Sequence, residues 1–205
     1  MSKQSKTRGI NHILNYNRKK NALKPELANV HYDTDNKGNN VQVACDGFRL
    51  AVLKDFAEVE SIEMENAKNI PYINWKSYFD IDAVVSAGNV VELPDLKALK
   101  EYVKAIKKFN IKHPYDFGEN QPCVNAEYLI DAMEIVDLKT AKAYATGYLN
   151  TAILLIDANG NYVYTLGVRP KFDRKKTDLS DRYEVRDGHI QKITGYTDLI
   201  KEVCG

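Results

Sequence analysis

The sequence predicts an α+β fold with antiparallel sheets and a few amphipathic helices. Three observations carry this. Asp46-Gly47 and Asn159-Gly160 each stand between two apolar runs, the strongest short-range signal for an antiparallel hairpin, because the tight turn needs positive φ. Apolar residues recur at helical spacing over 95–109 and 125–136. A helix followed by hairpin strands around a Gly turn occurs at 9–54 and again at 125–168, a weak internal repeat in pattern rather than in residues.

Taken in order, residues 9–20 are predicted helical. Ile10, Ile13 and Leu14 share one face, and Arg18, Lys19 and Lys20 end it, where cations suit the helix dipole. Pro25 closes the segment. Strands are predicted at 29–33 and 41–45, joined by the polar loop 34–40, and 48–53 returns after Asp46-Gly47. Residues 55–68 are acidic and without a clear period, and 72–80 are aromatic, with Tyr72, Trp75, Tyr78 and Phe79. Residues 83–93 read as two short β-like runs around Ala87-Gly88-Asn89. Pro94 sits at the start of helix 95–109, where its missing N–H costs nothing. On that helix Leu96, Leu99, Tyr102, Val103 and Ile106 cover one side. Lys97, Lys100, Lys104, Lys107 and Lys108 fall within a ~100° arc on another.

Helix 125–136 carries the stripe Leu129, Ile130, Met133 and Val136, with Asn125 as N-cap. Residues 141–148 alternate as a strand with one wet face should. Ala152 to Ile156 is apolar on both faces, so it is covered on both sides, or covered once and used at a subunit seam. Residues 162–168 run back. The tail, 171–205, opens on Arg174-Lys175-Lys176, and offers a small hairpin around Asp187-Gly188 and a helical turn at 197–204.

The chain of 205 residues is 44% hydrophobic, enough for a sizeable core. Its net charge of +1 means that any attraction to nucleic acid must come from local segregation of charge. Three cysteines, an odd number with no Cys-x-x-Cys, speak against a disulfide framework or a zinc cage and for reduced thiols in the cytoplasm. Met1 to Arg8 is polar and basic, unlike a signal peptide, and no run approaches the ~20 apolar residues of a membrane span. The expected location is cytoplasmic, with no membrane partner.

No catalytic constellation stands out, and neither a cofactor nor a metal is expected. His12, His31, His113 and His189 are scattered, and there is no Walker-type loop and no G-x-G-x-x-G. Asp80 and Asp82 form a carboxylate pair at i, i+2, which reads as a solvated acidic loop because nothing else converges there by sequence. The lysine stripe differs. Surface helices commonly alternate Lys with Glu at i, i+4, whereas only Glu101 lies near this face. The stripe is either a solvated helix back or a face for a polyanion, and Lys, a point charge, suits non-specific phosphate contact.

Val43-Ala44-Cys45-Asp46-Gly47-Phe48-Arg49-Leu50-Ala51-Val52 resembles the A-T-D-G-H-R-L-A segment of bacterial sliding clamps, the beta subunit of DNA polymerase III. Val124-Asn125-Ala126-Glu127-Tyr128-Leu129-Ile130-Asp131-Ala132 is similar to that family's F-N-x-x-Y-L-x-D-x-L helix. Tyr162-Val163-Tyr164 to Val168-Arg169 resembles its closing strand, which ends M-P-M-R-L. Pro71-Tyr72-Ile73-Asn74-Trp75 is a looser likeness to an F-P-D-Y segment between domains. These pieces keep the family's order. The resemblance implies a DNA-clamp-type fold: a clamp-like domain over 1–170, built of units at about 9–54 and 115–170 joined by a segment with helix 95–109, and an extension over 171–205.

It also implies a ring whose helices pass over duplex DNA, homo-oligomeric assembly, and a pocket for polymerase or clamp-loader peptides. The matching pocket positions are Asp46, Gly47, Phe48, Arg49 and Leu50, with Leu166, Gly167, Val168 and Arg169. The DNA-facing cations would be Lys97, Lys100, Lys104, Lys107 and Lys108, with Arg18, Lys19 and Lys20. Cys45 and Phe48 replace the family's Thr and His, and both strand methionines are absent, which alters a pocket whose plasticity relies on Met. The chain is also shorter than a bacterial clamp. Three readings follow: a non-catalytic clamp-like replication accessory or processivity protein, a clamp-fold adaptor without ring or DNA binding, and a small enzyme such as a nuclease.

Overall fold

The computed structural model describes residues 3–78, 80–108, 114–118, 121–146, 152–168, 183–186 and 189–192. Helix α1 spans Lys3–Asn15 and buries Ile10, Ile13 and Leu14. It starts and ends earlier than the predicted 9–20. Its polar first turns carry no apolar period and are held instead by contacts to distant residues, Lys6 to Asp55 and Arg8 to Glu134. Arg18, Lys19 and Lys20 therefore lie beyond the helix. Strands β1 (His31–Thr34), β2 (Asn40–Cys45) and β3 (Arg49–Leu53) form an antiparallel meander. Cys45 pairs with Leu50 and Asp46 N–H donates to Arg49 C=O, so the turn centres on Gly47-Phe48, one residue later than predicted. Gly47 has φ 88°, in the left-handed region that glycine adopts without strain.

The connection from β3 wraps the flank of the sheet. Gln42, on one face, exchanges hydrogen bonds with the Ala57 backbone, and Asn29 does the same with Ile62. On the opposite face Trp75 Nε1 donates to Asp33 at 2.9 Å and Tyr72 stacks on His31. Helix α2 (Ile81–Ala87) follows, where a β-like run was predicted. Its valines suggest a strand, but the Asp80 side chain caps the first turn, and Gly88, at φ 70°, ends the helix in the left-handed conformation. The Asp80/Asp82 pair is thus a helix start, with Asp82 2.9 Å from Lys37.

Strand β4 (Val90–Val91) leads to helix α3 (Leu96–Lys108), whose N-cap is Asp95, one residue beyond Pro94. Strands β5 (Pro114–Asp116) and β6 (Cys123–Asn125) form a small ribbon. Helix α4 (Ala126–Ile135) is capped by Asn125, as predicted. Strands β7 (Lys142–Thr146), β8 (Ala152–Ile156) and β9 (Tyr162–Leu166) complete the main sheet. In the tail β10 (Tyr183–Arg186) pairs with β11 (His189–Lys192), and β11 lies against α3. The predicted turn at 187–188, the basic junction 174–176, the helical turn at 197–204 and Cys204 fall outside the described residues.

The seven-stranded sheet is antiparallel throughout, in the order β1-β2-β3-β9-β8-β7-β4. Apart from β4, the order is palindromic about the β3–β9 pair, with β1-β2-β3 on one side and β9-β8-β7 on the other. Helices α1 and α4, one from each unit, pack together on one face with α3 beside α4. Ala44, Ala51, Ile153, Leu155 and Val163 meet this helix layer. The alternate residues Val43, Leu50, Val52 and Leu154 face Leu27, from the short 3-10 turn Pro25–Ala28 before β1, and Trp75 from the wrapping connection. Strand β8 is therefore covered on both faces, the first of the two arrangements its sequence allowed. Burial in this second core pushes the Cys45 thiol up to about 11.

Candidate nucleic-acid interface

The outward side of the helix layer is built from α1, α4 and α3. Glu134 of α4 is 1% exposed because cations from both flanking helices cover it. Arg8 Nε donates to Glu134 Oε2 at 2.8 Å and its Nη2 binds Oε1, which Lys100 of α3 also binds. Burial alone would raise the Glu134 pKa. The hydrogen bonds from Arg8 and Lys100 more than offset this and hold the carboxyl below its usual range. Lys107 pairs in the same way with Glu127 at the start of α4.

The lysine stripe is thus divided by its neighbours. Lys100 and Lys107, on the flank toward α4, are tied to its carboxylates. Lys97 and Lys104 are exposed and make no ion pair among the described residues. The side chain of Lys108 lies outside the described residues. Arg18 is not available to a ligand in the way predicted, because Nε donates to Ala28 C=O at 2.9 Å and Nη2 to Glu60 C=O at 2.6 Å. It ties α1 to the wrapping connection. Lys19 and Lys20 are exposed, with Lys19 Nζ 5.7 Å from the Tyr16 ring centroid.

The predicted pocket residues divide too. Asp46, Arg49 and Leu50 are interior, at 2%, 4% and 2% exposure. The Asp46 carboxylate accepts from the backbone N–H of Phe48 and Arg49, and from Arg49 Nε and Nη2 at 2.9 and 2.6 Å. Arg49 Nη1 reaches Asp131 of α4, whose other oxygen lies 2.7 Å from His12 Nδ1. The Tyr128 ring covers the guanidinium at 4.0 Å. Burial raises the Asp131 pKa, and Arg49 and His12 counter this only in part.

Phe48, Leu166 and Val168 remain exposed. They are joined through backbone: Leu166 N–H donates to Phe48 C=O at 2.9 Å, Gly167 bridges to Val124, and Val168 N–H donates to Cys123 C=O. Arg169 lies outside the described residues. Two clefts sit elsewhere, one of about 400 Å³ between β4, α3 and α4, and one of about 460 Å³ between the start of α1 and the exit of β3.

Sequence reasoning missed Arg8, His12, Tyr16, Asp131 and Glu134. The signal was there in part: Arg8 and His12 are i, i+4 on α1, and Asp131 and Glu134 are i, i+3 on α4, spacings that put each pair on one face. Searches against protein-family models, curated proteins and solved structures found no match to this chain. Among the described residues no helix is long and apolar enough to cross a membrane, and no group of three His, Cys, Asp or Glu side chains is placed to hold a metal.

Proposed function

We propose that this chain is a DNA-clamp-like replication accessory or processivity protein that contacts duplex DNA without sequence preference through its helix layer. The observation that carries the reading is the arrangement of the two helix-plus-hairpin units. Their strands join through β3 and β9, and their helices lie side by side on one face with a row of lysines on the adjoining helix. Lys97 and Lys104 face outward without ion pairs among the described residues, and they suit phosphates that pass rather than lock, because an ammonium lacks the bidentate geometry that reads bases.

A second reading, a clamp-fold adaptor without a ring, is favoured by the connection that wraps the β1 flank. Residues 55–78 take up space beside an edge strand that a ring would use for assembly. Solution mass separates the two readings, since only the first requires an oligomer. Polymerase or clamp-loader peptides at Phe48, Leu166 and Val168 are compatible with both.

Duplex binding followed by fluorescence anisotropy tests the DNA reading. Affinity should be weak, independent of sequence and should fall linearly with the logarithm of salt. Lys97→Glu with Lys104→Glu should abolish it at moderate salt with an unchanged melting transition. Reversal of Lys100 is avoided, because it would set a second acid beside buried Glu134. Binding by the double variant equal to the parent at low salt would overturn the reading.

A further inference from the structure

We infer that Tyr16, Phe48 and Tyr128 form a stacking platform for single-stranded DNA. The rings come from three separate elements: the end of α1, the β2–β3 turn and the first turn of α4. The Phe48 centroid lies 5.5 Å from that of Tyr16 at 81°, and 6.2 Å from that of Tyr128 at 36°. Tyr16 and Phe48 are each 44% exposed, so the rings meet one another and still offer surface to solvent.

The platform is rigid. Phe48 stands at the tip of a tight turn whose backbone is fixed by two hydrogen bonds to Asp46 and one from Leu166. Tyr128 rests on the buried Arg49 guanidinium, which fixes the ring's inner face. Little ordering is left to be done when a planar ligand arrives, which lowers the cost of binding.

The charge around the rings selects the ligand. Lys19, 5.7 Å from the Tyr16 centroid, and Lys24 flank them, and Lys20 is next to Lys19 in the chain; all three are exposed and without an ion pair among the described residues. The Lys24 ammonium lies beside Gly47, at 3.6 Å from where a Cβ would stand. The acids beside Tyr128 are already engaged. Asp46 and Asp131 are buried against Arg49 and His12, and Glu127 is paired with Lys107. Adjacent π faces with unpaired cations are the recognition chemistry of a flexible strand whose bases are unstacked and whose phosphates follow the groove. A duplex keeps its bases stacked and offers these rings nothing, so this surface does a different task from the lysines of α3. The choice of DNA over RNA rests on the duplex-DNA reading above, whereas the platform itself does not.

The test uses the full chain and fluorescein-labelled oligo-dT of about 16 nucleotides, the upper end of common site sizes. The parent should bind at low salt. Phe48→Leu, which keeps apolar bulk and removes the ring, should weaken binding roughly tenfold, and Phe48→Trp should preserve it. Lys19→Glu with Lys20→Glu should also weaken it. Phe48→Leu should leave duplex binding unchanged, and Lys97→Glu with Lys104→Glu should leave oligo-dT binding largely intact. If duplex binding fails while oligo-dT binding depends on Phe48, the platform stands and the duplex reading falls. Absence of oligo-dT binding, equal binding by Phe48→Leu, tighter binding of oligo-rU, or capture of a labelled acidic peptide in place of oligo-dT would each overturn the inference.

Discussion

Asp46 and Asp157 occupy equivalent places in the two halves of the fold. Each is buried, at 2% and 5% exposure, at the start of the hairpin turn that leads into a central strand, β3 or β9. Asp46 accepts from two turn amides and from the Arg49 side chain. Asp157 accepts from the amides of Asn159 and Asn161, from the Asn161 side chain, and from the amide of Asp137. Arg49 then reaches α4, while Asn161 accepts from the amides of Lys54 and Asp55. One architectural device serves twice, with a charged partner on the side of the aromatic rings and a neutral one on the other.

The neutral copy gives the cleaner measurement. Asp157→Asn should destabilise by about 2–4 kcal/mol, because both carboxylate oxygens face donors and the amide can supply only one acceptor. The remaining NH2 would point at another N–H. Urea unfolding with an unchanged slope would report this directly. A midpoint equal to the parent's would show that the Asp157 hydrogen bonds do not hold the turn.

Gly9 of α1 packs directly against α4. A Cβ there would lie 2.8 Å from Ile135 Cγ1 and 2.9 Å from Asp131 C=O. Gly9→Ala gains up to about 1 kcal/mol of helix propensity in a free helix. Here the clash with backbone should outweigh it, for a net loss of about 1–3 kcal/mol. Gly9→Ala should therefore lower the melting temperature, whereas the same change at a solvent-facing glycine of a helix would raise it.

Stability should depend on Asp33 in acid. Its carboxylate accepts from the amide of Thr34 and from Lys76 and Trp75, which together hold its pKa at about 2, below the ordinary 3.8. A carboxyl that is more acidic when folded adds stability above pH 3.8 and loses it as pH falls toward 2. Asp33→Asn should lower the urea midpoint near neutral pH, and the two curves should converge near pH 2. Trp75, the only tryptophan in the chain and itself a donor to Asp33, reports the transition by fluorescence. A difference that persists undiminished at pH 2 would refute this account.

The sequence by itself determined the α+β class, the places of the β2–β3 and β8–β9 hairpins, the Asn125 cap and the burial of β8. Each rests on chain neighbours alone: a Gly with positive φ between apolar runs, a capping side chain two residues from its donor, or a run of apolar residues with no wet face. Only the tertiary structure decided which cations face solvent. Arg8 meets Glu134 and Arg49 meets Asp131 across long stretches of chain, and such pairs leave no periodic trace. Local propensity also misread 83–87, where β-branched valines suggest a strand but Asp80 and Gly88 close a helix. The three rings of Tyr16, Phe48 and Tyr128 come from the end of one helix, a turn and the start of another. They meet only because β3 and β9 pair and bring α1 against α4, a long-range contact whose register is set by the two buried sheet faces and not by any one segment.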